Sequence, residues 1–387
     1  MSSNIASSKN KRTVYGRQIA FAAAFLLPAS KLLETPSLLS KYAAGDLLIP
    51  ALLHFLLQFG VLTAVLFAVS HSKYTLRERL ENAFGKWVVL VYVVYTLYFL
   101  FSAILPLLDL EKFVYAAFFD TEPTTFSFAL FFVFSAFFCT KGIKAVGRVA
   151  DLCLFLFLLP FLALLIMSLA ETDFTNLLPL FGTKFGKNVS AFTYTTPHFS
   201  DVALLLPLLL DYRYEKGDFG KITLGYGAGA TCILAFLAVF FGVYSSIAPR
   251  EHYAFSKIAQ YFPALHVIGR IDLLFVYLLS VVLLFYTALP LHYTTGLLSR
   301  LTNTERKSIF AFFVNVAAFV FVLFCNRFYN YFYSLIGGTL PFVFWIFADL
   351  IPILCLLLPK NLNDADALKN QDPSAPKNTD KKENPYA

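Results

Sequence analysis

The chain has 387 residues, of which 58% are hydrophobic and 14% charged, with 45 phenylalanines and a mean hydropathy of +0.67. Such a composition excludes a soluble globular domain and marks a polytopic membrane protein. The formal net charge of +7 comes from basic residues in short segments between apolar runs, which read as orientation signals and not as a nucleic-acid surface.

A hydrocarbon layer of roughly 30 Å takes about 20 helical residues, and ten such runs follow in order. They are Arg17 to Leu39, Leu47 to Val69, Trp87 to Leu108, a short Thr124 to Thr140, Val149 to Ala170, Val189 to Leu210, Ile222 to Ile247, Ile271 to about Leu291, Ile309 to Cys325 and Tyr331 to Leu358. The basic start at Lys9, Lys11 and Arg12 followed by an apolar run reads as an uncleaved first helix, since many spans follow. Ten spans put both termini on one side, and the larger share of the 31 basic residues lies in the segments on that side, so both termini are expected in the cytoplasm. Residues 1–16 are then a cytoplasmic arm, 17–359 a ten-helix membrane domain, and 360–387 a disordered tail too polar to bury a core. Between spans seven and eight, Tyr253 to His266 has the pattern of a surface helix across the outer mouth.

Two spans are irregular. In the first, Pro28-Ala29-Ser30-Lys31 interrupts the apolar run, with Glu34 and Pro36 close behind; in the sixth, Thr195, Thr196, Pro197, His198, Ser200 and Asp201 do so. Proline removes a backbone donor, and broken helices at membrane depth survive where their freed backbone groups line a cavity or are buried in protein. Breaks in spans one and six predict a five-plus-five inverted repeat with a solute site between them. The expected solute contacts are Pro28, Ala29, Ser30, Lys31, Thr195, Thr196, His198, Ser200 and Asp201. Lys31, Glu34, His198 and Asp201 are the candidates for proton or ion coupling, because ionisable groups are costly in hydrocarbon and there mark function. Spacings of three predict that Lys31 and Glu34 share one helix face, and that His198 and Asp201 share another. Asp349 in span ten is a candidate conformational lock; His54 and His292 read as packing residues.

Cys139, Cys153, Cys232, Cys325 and Cys355 fall singly within apolar runs or at their ends, without metal or redox spacing. No phosphate loop, zinc helix or nucleophile elbow is present, so neither an enzyme nor a cofactor is expected.

Several stretches resemble the spore germination permeases, the B subunits of nutrient germinant receptors within the amino acid/polyamine/organocation transporter superfamily. They are Gly16-Arg17-Gln18; Thr35-Pro36-Ser37 through Gly45-Asp46; Lys141-Gly142-Ile143 with Gly147-Arg148-Val149-Ala150; Asn176-Leu177-Leu178-Pro179; and Leu204 to Leu210, preceded by Asp201 where that family commonly has a glutamate. The resemblance implies an amino acid or similar nutrient bound between helices one and six, residence in the inner spore membrane, and A and C receptor subunits as partners. Two further functions fit the residues: a stand-alone proton-coupled amino acid transporter, and a non-transporting scaffold subunit.

Overall fold

In a computed structural model the protein is described at residues 14–70, 75–118, 125–210, 212, 214–261, 271–304, 306–328, 331, 346, 349 and 350. Among the described residues it is all helical, without a strand. In chain order α1 is Gly16–Ala29, α2 Thr35–Ala43, α3 Leu48–Ser70, α4 Leu76–Phe84, α5 Val88–Phe118, α6 Thr125–Thr140 and α7 Ile143–Ser168. There follow α8 Phe185–Thr195, α9 Asp201–Leu210, α10 Asp218–Tyr244, α11 Ala254–Tyr261, α12 Ile271–Leu301 and α13 Lys307–Arg327.

Among the described residues six helical stretches are long and apolar enough to cross a membrane: Leu48–Ser70, Gly85–Phe113, Ile143–Glu171, Asp218–Arg250, Leu274–Leu301 and Lys307–Cys325. Phe128–Thr140 is a shorter apolar helix. Their outward faces carry large apolar side chains such as Phe134 and Phe137 of α6, Phe155 and Leu159 of α7, and Phe312 and Phe313 of α13. In water such surface would be an aggregation liability; in lipid it is the ordinary exterior. The expected tenth span and the polar tail lie almost wholly outside the described residues.

The stretches expected as spans one and six are each split. The α1 helix stops at Ala29, one residue after Pro28, and α2 resumes at Thr35; α8 passes into a 3-10 turn, Thr196–Phe199, before α9 starts at Asp201. Packing puts α1 beside α9 and α2 beside α8, so the split segments run antiparallel with their breaks side by side. Close helix approach comes from small residues: α1 lies along α10, where a Cβ on Gly225 would collide with the Ala20 carbonyl and one on Gly229 would sit 3.1 Å from that of Ala23.

Both ends of the bundle are fastened by buried polar groups. At one end Asp218 of α10 accepts from the Tyr212 hydroxyl and from Lys221 at 2.9 Å, while Gly16 leaves room for its carboxylate. There Gln18 Nε2 donates to Asp151 at 3.1 Å, and Gly147 leaves the space that Gln18 occupies. At the other end Asp46 accepts the backbone N–H groups of Phe181 and Thr183, each at 2.7 Å. Burial opposes its charge, but bonds from Thr183, Phe181 and the Asn188 side chain outweigh burial and hold Asp46 below the usual carboxylate value.

Gly225→Val should destabilise the protein by about 1–3 kcal/mol through overpacking, while Gly227→Val, which meets open space, should change stability by less than about 0.5 kcal/mol. Thermal unfolding in detergent separates the two variants. Because Asp46 titrates lower in the folded chain, its contribution is fully present above the unfolded value of about 3.9 and fades as pH falls through the folded one. Asp46→Asn should therefore lower the melting temperature at neutral pH and flatten its decline in acid.

Candidate functional site

The geometry at the two breaks begins with satisfied backbone. At the end of α1 the Leu27 carbonyl accepts from Ser30 Oγ and Lys31 Nζ, both at 3.1 Å. The carbonyls of Leu32 and Leu33, freed by the break, accept the N–H groups of Phe255 and Ala254 at 3.0 Å. The short helix α11 thus spends its own N-terminal donors on the break after α1, which lets irregular backbone persist. In span six Thr195 and Thr196 return their hydroxyls to the carbonyls of Ala191 and Phe192, at 2.7 and 2.9 Å.

The centre is an ion pair between the two breaks. Lys31 Nζ lies 2.5 Å from Asp201 Oδ1, with side chains 0% and 3% exposed. The ammonium also donates to Ser30 Oγ at 3.1 Å and stands 4.9 Å from the Phe199 ring centre and 5.8 Å from that of Phe55. Attraction over these ring faces adds to the ion pair. The second carboxylate oxygen, Asp201 Oδ2, is buried without a hydrogen-bond partner among the described residues. Tyr98 of α5 approaches Ser200, and Tyr286 of α12 approaches Ser30.

Two sequence-based pairings do not form. Lys31 and Glu34 do not share a helix face, because α1 ends at Ala29, before both; Glu34 sits in the capping position before α2, and Lys31 turns to Asp201. His198 and Asp201 also fall in different elements, the 3-10 turn and α9, so the spacing of three has no helical meaning there. His198 is half-buried in the turn, and Pro28 lies inside α1 next to Ala29, at the edge of the break.

Two positions beside the breaks were not picked out as part of the site by sequence reasoning. His54 of α3 is stacked between Phe192 and Phe199, with ring centres 3.9 and 4.4 Å away, and its Nε2 meets the Phe192 carbonyl at 2.9 Å and Thr195 Oγ1 at 3.2 Å. It packs, as expected, but what it packs is the break itself. One turn along, Gln58 is fully buried; its Oε1 accepts from Val202 N–H at 3.2 Å and its Nε2 donates to Asp349 at 2.7 Å. Lone polar residues on an apolar helix were the available signal, and spacing alone does not tell such residues from neutral packing.

Asp201 and Lys31 are oppositely charged and buried together, so removing one strands the other. Asp201→Leu alone should cost about 3–5 kcal/mol, whereas adding Lys31→Met should restore most of the loss. Thermal unfolding of the two purified variants in detergent is the check.

A family model with the description Spore_permease, spore germination protein, matches residues 47–329, which take in His54, Gln58 and Asp201 but begin after Lys31. No curated protein matches the chain.

Proposed function

The chain belongs to the spore germination protein family and is a multi-pass membrane protein of permease type; from that premise we propose that it is the membrane subunit of a spore nutrient germinant receptor. In this reading an amino acid binds where the breaks of spans one and six meet and shifts a conformational equilibrium that partners detect. The observation that carries it is the buried Lys31–Asp201 pair. A zwitterion bears the same two charges, so its carboxylate can take over Lys31 and its ammonium Asp201 without changing the net buried charge. A singly charged solute would leave one partner bare, at a cost of several kcal/mol. Ser30, Thr195, Thr196 and Ser200 supply short polar groups around this exchange, and Ala29 and Pro28 shape its edge.

The antiparallel run of the two split segments favours a five-plus-five inverted repeat, with residues 331–358 as the tenth span. The distribution of basic residues favours cytoplasmic termini, a permease-like body at 17–359 between an arm and a tail, and residence in the inner spore membrane with A and C subunits beside it. Binding moves the equilibrium only by the difference in its affinity for the two states, and breaking one ion pair while making two new ones is such a difference.

Ser30→Ala and the paired Lys31→Met, Asp201→Leu variant should reach the membrane at normal levels. The first should shift the nutrient dose response of germinating spores to higher concentration and the second should abolish it. A normal dose response in both would remove the site from this position. Solute-driven proton uptake by the chain alone in proteoliposomes would instead make it a transporter in its own right.

A further inference from the structure

Asp349 is 5% exposed. Its Oδ2 accepts from Gln58 Nε2 at 2.7 Å, and its Oδ1 has no hydrogen-bond partner among the described residues. Lys31 is the only buried lysine or arginine among the described residues, and Asp201 already holds it. The charge of Asp201 reaches Asp349 from α9. Among the described residues the other groups facing it are Tyr98 from α5 and Tyr226 from α10, both neutral phenols near neutral pH, and the neutral amide of Gln58 from α3. His54, one turn from Gln58, is engaged with Phe192 and Thr195.

Two buried carboxylates thus stand near one ammonium that only Asp201 is seen to hold, and among the described residues the neighbourhood is one positive charge short. A bare carboxylate does not persist in such surroundings; it takes a proton or a counter-ion. We propose that Asp349 is a binding position for one positive charge, a proton or an alkali-metal cation, and that Gln58 couples its occupancy to the start of α9. The coupling has a definite path. Gln58 is tied at one end to Asp349 and at the other to Val202 N–H, one of the first donors of α9 and the neighbour of Asp201. Filling or emptying Asp349 changes the pull on the Gln58 amide, and Gln58 passes that change to the residue beside the Lys31–Asp201 pair.

The uptake arm holds whether or not an amino acid is the solute, and is read on the full-length chain, purified and without nutrient. If the charge is a proton, dicyclohexylcarbodiimide, which modifies protonated carboxyls in apolar surroundings, should label the Asp349 peptide in mass spectrometry, several-fold less at alkaline pH and independently of sodium or potassium. Asp349→Asn should lose the label together with a carboxylic-acid carbonyl band in the infrared. If the charge is an alkali-metal cation, the melting temperature should rise with sodium or potassium at constant ionic strength in the wild type and stay flat in Asp349→Asn. No label at any pH together with no cation-dependent melting shift would overturn the proposal. The coupling arm rests on the nutrient reading: Gln58→Leu should remove the pH or cation dependence of the dose response, and an unchanged dependence would refute the role of Gln58 alone.

Discussion

Everything at the centre of this protein depends on one ammonium and one carboxylate buried together, Lys31 from the break in span one and Asp201 from the break in span six. Neither charge is tolerable there without the other. A continuous helix in either span would have used its own backbone partners internally and left the two side chains no common place to meet. The breaks and the ion pair are therefore mutually required, and the rest of the structure serves to make the breaks affordable. Threonine hydroxyls cap the end of α8, α11 donates to the carbonyls of Leu32 and Leu33, and Gln58 takes the Val202 N–H.

Rigid packing surrounds this centre on several sides. Small residues let α1 lie against α10, the Phe192–His54–Phe199 stack fixes the turn of span six, and the ends are fastened through Asp218, Asp151 and Asp46. The centre itself is electrostatic. In the proposed reading, a pair whose desolvation nearly cancels its attraction is a good place for a switch, because a solute carrying matching charges would replace it at little net cost. A tightly packed hydrocarbon contact at the same place would offer a solute no such exchange.

Most of the helices were legible in the sequence, because a run of about 20 apolar residues in membrane has few alternatives to helix. The two breaks were legible as well, from prolines and charges inside apolar runs, and they drew attention to Lys31 and Asp201. Partnership was not legible. The spacing of three that joined Lys31 to Glu34 and His198 to Asp201 assumes an unbroken helix, and it fails at the positions where the chain stops being one. Likewise Gln58 and His54 bond to groups far along the chain, and nothing in their own neighbourhood says so. Asp46 lay in a stretch recognised by its resemblance, while its work, holding two N–H groups of the distant segment at 181–183, is visible only in space.

The claim that a zwitterion exchanges with the Lys31–Asp201 pair is tested most directly by calorimetric titration of the purified protein. The titrants are an amino acid that triggers germination, its carboxamide, which lacks the negative charge, and its N-acetyl derivative, which lacks the positive one. The account predicts measurable binding of the amino acid and at least about tenfold weaker binding of each derivative, since each leaves one buried charge without a partner. Equal affinity for all three compounds would contradict it.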